Sequence, residues 1–105
     1  MEDFLNIDFE RSGGFTGLPV KIILNNKLLS SAESAEIEDL IEKSGFFDLQ
    51  LASISEKLYP DRFFYTIVIE TKDRRHIIRL GEQQVPDSLR PLIKYLLKRA
   101  GLRKQ

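Results

Sequence analysis

Apolar and polar positions alternate from Leu5 to Glu10. Leu5, Ile7 and Phe9 fall on one side of an extended chain, and Asn6, Asp8 and Glu10 on the other. That two-residue period predicts a half-buried strand over 5–11. The period then stops at Ser12-Gly13-Gly14-Phe15-Thr16-Gly17, whose closely spaced glycines predict a turn with positive φ angles. Residues 18–24 (Leu-Pro-Val-Lys-Ile-Ile-Leu) resume a strand. Pro19 puts its beginning at an edge or a first position, because proline has no amide hydrogen for a ladder. The two strands are expected to form a hairpin.

After the break at Asn25-Asn26-Lys27 the period changes. Ser30 with Glu33 three residues on has the form of a capping box. Ile37, Leu40 and Ile41 recur at i, i+3 and i+4, which predicts a helix over 31–44 whose stripe Ser34 and Ser44 extend. Glu33, Glu36, Glu38, Asp39 and Glu42 make the rest of it acidic, a pattern read as a solvated face. Gly45 stands where a C-terminal cap is expected. Phe46-Phe47-Asp48-Leu49 reads as a buried anchor, and the aperiodic residues 50–61, ending in Tyr59-Pro60-Asp61, as a loop.

Residues 62–71 are the strongest strand, rich in aromatic and β-branched side chains. Phe63, Tyr65, Ile67 and Ile69 share one face, and Phe64, Thr66, Val68 and Glu70 the other. A polar turn, Lys72-Asp73-Arg74-Arg75, leads to a return strand from His76 to Leu80. Val85-Pro86-Asp87-Ser88 opens a last helix with the stripe Leu89, Leu92, Ile93, Leu96 and Leu97. Pro91 is tolerated only in a first turn, so this helix is expected to begin near Ser88 and to end at Gly101. Lys98, Arg99, Arg103 and Lys104 gather at that end, where a helix dipole favours cations.

The element order ββαββα predicts an α+β fold: one domain over 1–105, with a four-stranded, mainly antiparallel sheet and both helices on one face. This is an open-faced sandwich whose other face is partly solvated. Phe46, Phe47, Phe63, Tyr65 and the stripe of the last helix are assigned to the core.

Composition narrows the function. The chain has 105 residues, 42% hydrophobic and 30% charged, the profile of an ordinary globular domain. Sixteen Lys and Arg balance sixteen Asp and Glu, which speaks against nucleic-acid binding. The absence of cysteine removes disulfides, thiolate metal sites and cysteine nucleophiles. No apolar run reaches the roughly 18 residues of a membrane span, and the acidic start, Met1-Glu2-Asp3-Phe4, does not resemble a secretory signal. The expectation is a cytoplasmic protein.

Catalytic signatures are weak. His76 is the single histidine, whereas a zinc site needs three or four ligands and H-E-x-x-H needs two histidines. It is read as a surface strand residue, with no metal, cofactor or catalytic residue assigned. Gly13-Gly14-x-x-Gly17 lacks the Lys and Ser/Thr of a phosphate loop and joins two strands instead of opening a helix. No G-x-S-x-G elbow is present to support a hydrolase.

Five segments together carry a resemblance. They are Ile7-Asp-Phe-Glu-Arg-Ser-Gly-Gly-Phe-Thr-Gly17, then Ser44-Gly45-Phe46-Phe47-Asp48-Leu49, then Tyr59-Pro60-Asp61-Arg62-Phe63-Phe64-Tyr65-Thr66-Ile67, then the charged turn before His76, and finally Val85-Pro86-Asp87-Ser88-Leu89-Arg90-Pro91-Leu92. In that order they resemble the emfourin family, the protealysin inhibitors, over about residues 5–100. The basic Lys98–Lys104 end is not part of the family pattern. The resemblance implies a non-enzymatic, monomeric, reversible one-to-one inhibitor of a thermolysin-like metalloprotease.

Such an inhibitor must enter an active-site cleft, and rigidity lowers the ordering cost of doing so. Ser12, Gly13, Gly14, Phe15, Thr16 and Gly17 are one candidate contact set. Their glycines allow close backbone approach, and Phe15 suits the large apolar pocket that thermolysin-like enzymes use just after the scissile bond. Phe15 folding back to cap the core is the other reading of the same residues. Tyr59, Asp61 and Arg62, in the aperiodic loop, form a second set, with Tyr and Arg favoured at binding hot spots; a rim over the sheet edge is its structural alternative. A non-catalytic module that docks a non-protease partner through the uncovered sheet face is the competing function.

Overall fold

The computed structural model describes residues 4–13, 19–49 and 63–101. Its elements are β1 (Leu5–Gly13), β2 (Val20–Asn25), α1 (Ser31–Ser44), β3 (Phe63–Thr71), β4 (Arg75–Gly81) and α2 (Arg90–Arg99). Short 3-10 turns cover Phe46–Asp48, Glu82–Gln84 and Asp87–Leu89. The strands lie in the order β2-β1-β3-β4 with every neighbouring pair antiparallel. The expected ββαββα order and α+β class hold.

Register sorts the side chains into two faces. Leu24, Ile7, Ile69 and His76 form one row across the sheet, and Ile22, Phe9, Ile67 and Ile78 the next. These rows meet Ile37 and Ile41 of α1 and Leu92, Ile93 and Leu96 of α2 in one core cluster. Both helices therefore cover the same face. The opposite face carries the rows Ile23, Asp8, Val68, Ile77 and Lys21, Glu10, Thr66, Arg79. There Ile23 is 57% and Ile77 49% exposed, so this face is open and chemically mixed.

Local chemistry explains the helix ends. Ser30 Oγ accepts from the Glu33 amide at 3.1 Å, and Glu33 Oε1 accepts from the Ser30 amide at 2.9 Å. Two donors at the start of α1 are thus satisfied reciprocally. At its end Gly45 takes φ 66°, a left-handed value that costs glycine nothing, and its amide donates to Glu42 O. The Ser44 hydroxyl, buried within the turn, donates to Ile41 O at 2.6 Å and accepts from the Phe46 amide at 3.1 Å. This swings fully buried Phe46 into the core. Phe47 and Phe63, assigned to the core, are only half-buried.

Three features differ from the sequence expectation in ways that matter for packing. Ser12 and Gly13, read as turn, continue β1, because they pair with Phe64 and Phe63 of β3 after the ladder to β2 has ended at Arg11 and Val20. A 3-10 turn over Asp87–Leu89 precedes α2, which begins at Arg90, so Pro91 does lie in the first turn. Phe64 is on the open face yet only 2% exposed. Its cross-strand partner is Gly81, itself buried, the pairing in which an aromatic ring covers bare glycine backbone.

Candidate functional site

Each of the two stretches singled out as contact segments has one junction with the same end of the sheet. Segment 14–18 follows Gly13, the last residue of β1, and segment 50–62 precedes Phe63, the first of β3. Gly13 and Phe63 are direct partners in the β1–β3 ladder. The segments therefore join the sheet at adjacent backbone positions, despite their separation in sequence. Gly13 has φ 88°, a conformation that a side chain would strain, and it turns the chain out of β1 there.

Charged groups brace this end. The Arg11 guanidinium lies 4.1 Å from the centre of the Phe63 ring, a cation–π contact. The Phe63 amide donates to Glu82 Oε1 at 3.0 Å. Glu82 is held by the 3-10 turn after β4, in which the Gly81 amide donates to Gln84 Oε1 at 3.0 Å. Tyr65 pairs with Arg11 across the ladder and stacks on Phe9 at 5.9 Å. Burial first, and then the negative charge of Glu82, raise the Tyr65 phenol above its ordinary pKa, so it stays neutral. The first residue of β3 is thus fixed by a backbone ladder, a carboxylate and a guanidinium together.

Of the predicted contact residues, Ser12 and Gly13 are in place at the end of β1. Gly14, Phe15, Thr16, Gly17, Tyr59, Asp61 and Arg62 lie outside the described residues. Arg11 and Glu82 were not picked out by sequence reasoning. Their partner, Phe63, is distant along the chain, and only β pairing brings the three together. His76 is elsewhere: its Nε2 is 2.8 Å from Leu49 O and its ring meets Phe46 edge-on at 5.4 Å. That is a packing role and not the surface position expected, because His76 shares the helix-covered face with Leu24, Ile7 and Ile69. Among the described residues no group of three or more His, Asp or Glu could hold a metal ion, and no helix is long and apolar enough to cross a membrane.

The two contact segments thus attach at neighbouring residues of the two central strands. The family model named Emfourin matches residues 9–97. The chain belongs to the emfourin family. Emfourins are inhibitors, and on that ground this chain is not an enzyme. Among solved structures, the emfourin (M4in) from Serratia proteamaculans, an M4 family peptidase inhibitor, is similar with a TM-score of 0.48 and 12% identity over 100% of both chains. No curated protein matches significantly. The emfourin match spans both contact segments and every described strand and helix at least in part. In this emfourin the Ser44-Gly45-Phe46 motif has a structural task, closing α1 and seating Phe46. The Asp87-Ser88 motif has another: the Ser88 hydroxyl donates to Ser44 O at 3.2 Å, tying the start of α2 to the end of α1.

Proposed function

We propose that this emfourin-family protein inhibits a thermolysin-like zinc metalloprotease by occupying its active-site cleft. The observation that carries the reading is the family match over residues 9–97. The inhibitor binds as a monomer, one to one, and acts in the cytoplasm. Ser12, Gly13, Gly14, Phe15, Thr16 and Gly17, with Tyr59, Asp61 and Arg62, are the contact residues. The pairing of Gly13 with Phe63 supports this choice, since one cleft can then meet both segments. Phe15 fills the apolar pocket beyond the scissile bond.

Titrating a thermolysin-like peptidase with the purified protein tests the reading. Stoichiometric loss of activity that added zinc does not restore is the expected result. Full activity at large molar excess over the peptidase would refute it. The competing module on the open sheet face gains little support. Ile77 has Val68 beside it, but Asp8 separates that pair from Ile23, so the exposed apolar groups form no contiguous patch.

A further inference from the structure

The other end of the sheet carries a groove of about 530 Å³ between the end of α1 and the β3–β4 turn. Its apolar lining is Phe4, Leu5, Ile41, Phe46 and Phe47. Leu5 and Phe46 are buried and make the floor, while Phe4 is 46% exposed and Phe47 half-buried. The rim is acidic: Glu38, Glu42, Asp48 and Asp73 line it and all four are exposed. None of these carboxylates is ion-paired or hydrogen-bonded through its side chain to another described residue. Of the two cations at the groove, Arg74 already lies over Phe47 at 4.1 Å, leaving Lys72. Gly45, the C-terminal cap of α1, also lines the groove, so the negative end of that helix dipole adds to the field.

An apolar floor under an anionic rim fits a large apolar side chain flanked by cations. We propose that this groove is a second docking surface, which takes a basic peptide segment with an aromatic residue at its centre, presented by a partner protein. The chain's own ends do not suit it. Met1-Glu2-Asp3, just before Phe4, would add acid to acid. The basic 102–105 tail follows α2, whose last turn is held at the far end of α1 by Arg99 and Glu33, 2.7 Å apart. The junctions of the contact segments with the sheet at Gly13 and Phe63 lie at its other end, since Leu5 and Gly13 are separated by about 26 Å at the rise of a strand. The proposal does not rest on the inhibitor reading, and its readout is independent of any peptidase.

The test is a titration of the isotope-labelled full-length protein with acetyl-Lys-Phe-Arg-amide, followed by amide chemical shifts. Saturable shifts are expected at Glu38–Asp48 and Lys72–Arg74. Acetyl-Lys-Gly-Arg-amide and acetyl-Glu-Phe-Glu-amide should bind at least about tenfold more weakly, since each lacks one half of the recognition. The double variant Glu38→Gln with Glu42→Gln, at exposed positions that leave the core intact, should weaken the basic peptide by about tenfold. Absent or scattered shifts would overturn the proposal, as would equal binding of the glycine peptide. Equal binding of benzyltrimethylammonium would overturn it in favour of a small-cation site.

Discussion

Glu33 does three things with one carboxylate. It receives the Ser30 amide, it receives Arg99 Nη1 at 2.7 Å, and it sits in the first turn of α1, where the helix dipole favours an anion. The Ser30 amide bond first, and the Arg99 contact second, hold its pKa below the ordinary value of 4.5. A carboxylate with a depressed folded-state pKa adds stability that is complete above the unfolded value and is lost as pH falls through the folded one. Glu33→Gln should therefore flatten the acid limb of stability, and thermal melts from about pH 7 down to about pH 3 would show it. A variant that loses stability on acidification as steeply as the parent would contradict this assignment. Ser30→Ala removes the other half of the box and should cost about 1 kcal/mol at neutral pH, read from urea unfolding. An unchanged midpoint would mean that the cap is not formed in solution.

Elements depend on residues that meet only after folding. Leu92, Ile93 and Leu96 of α2 are buried against the same cluster as Phe9, Ile67 and Leu80. Leu96 is fully buried, so Leu96→Asp places an unpaired carboxylate in an apolar core and should unfold the domain. Far-ultraviolet circular dichroism checks it, and a parent-like spectrum and melting point would move α2 out of the core. Elements of this kind were legible in the sequence, because the stripe of α2, the alternation of β1 and the capping box of α1 are local patterns. What was not legible is non-local. Ser12 and Gly13 look like turn until Phe64 and Phe63 pair with them, and Glu82 looks like solvent-facing charge until the Phe63 amide reaches it. The buried state of Phe64 depends likewise on a glycine one strand away. Alternation placed Phe63 in the core, and the anchor reading placed Phe47 there, yet each is half-buried under an arginine, a contact that no spacing rule signals.

Across the whole molecule, three surfaces differ in what they offer a partner. The sheet end at Gly13 and Phe63 launches two segments, the groove at Phe4 and Phe47 is concave and acidic, and the open face mixes charged with apolar groups. A long antiparallel ladder links the first two, since β1 and β3 pair without interruption from Leu5 and Thr71 to Gly13 and Phe63. If inhibition belongs to the segment end alone, substitutions on the open face should leave it untouched. Ile77→Lys adds a charge at a position 49% exposed on an edge strand, where lysine also guards against strand-to-strand association. It should shift neither the melting point nor the inhibition constant by more than experimental scatter. Phe15→Ala, by contrast, should weaken inhibition at least about tenfold, the scale of a hot-spot residue, while leaving the fold intact. Measuring both variants against one peptidase separates the two surfaces. Loss of inhibition in Ile77→Lys with Phe15→Ala unaffected would assign the contact to the open face, and the pairing of Gly13 with Phe63 would then serve folding alone.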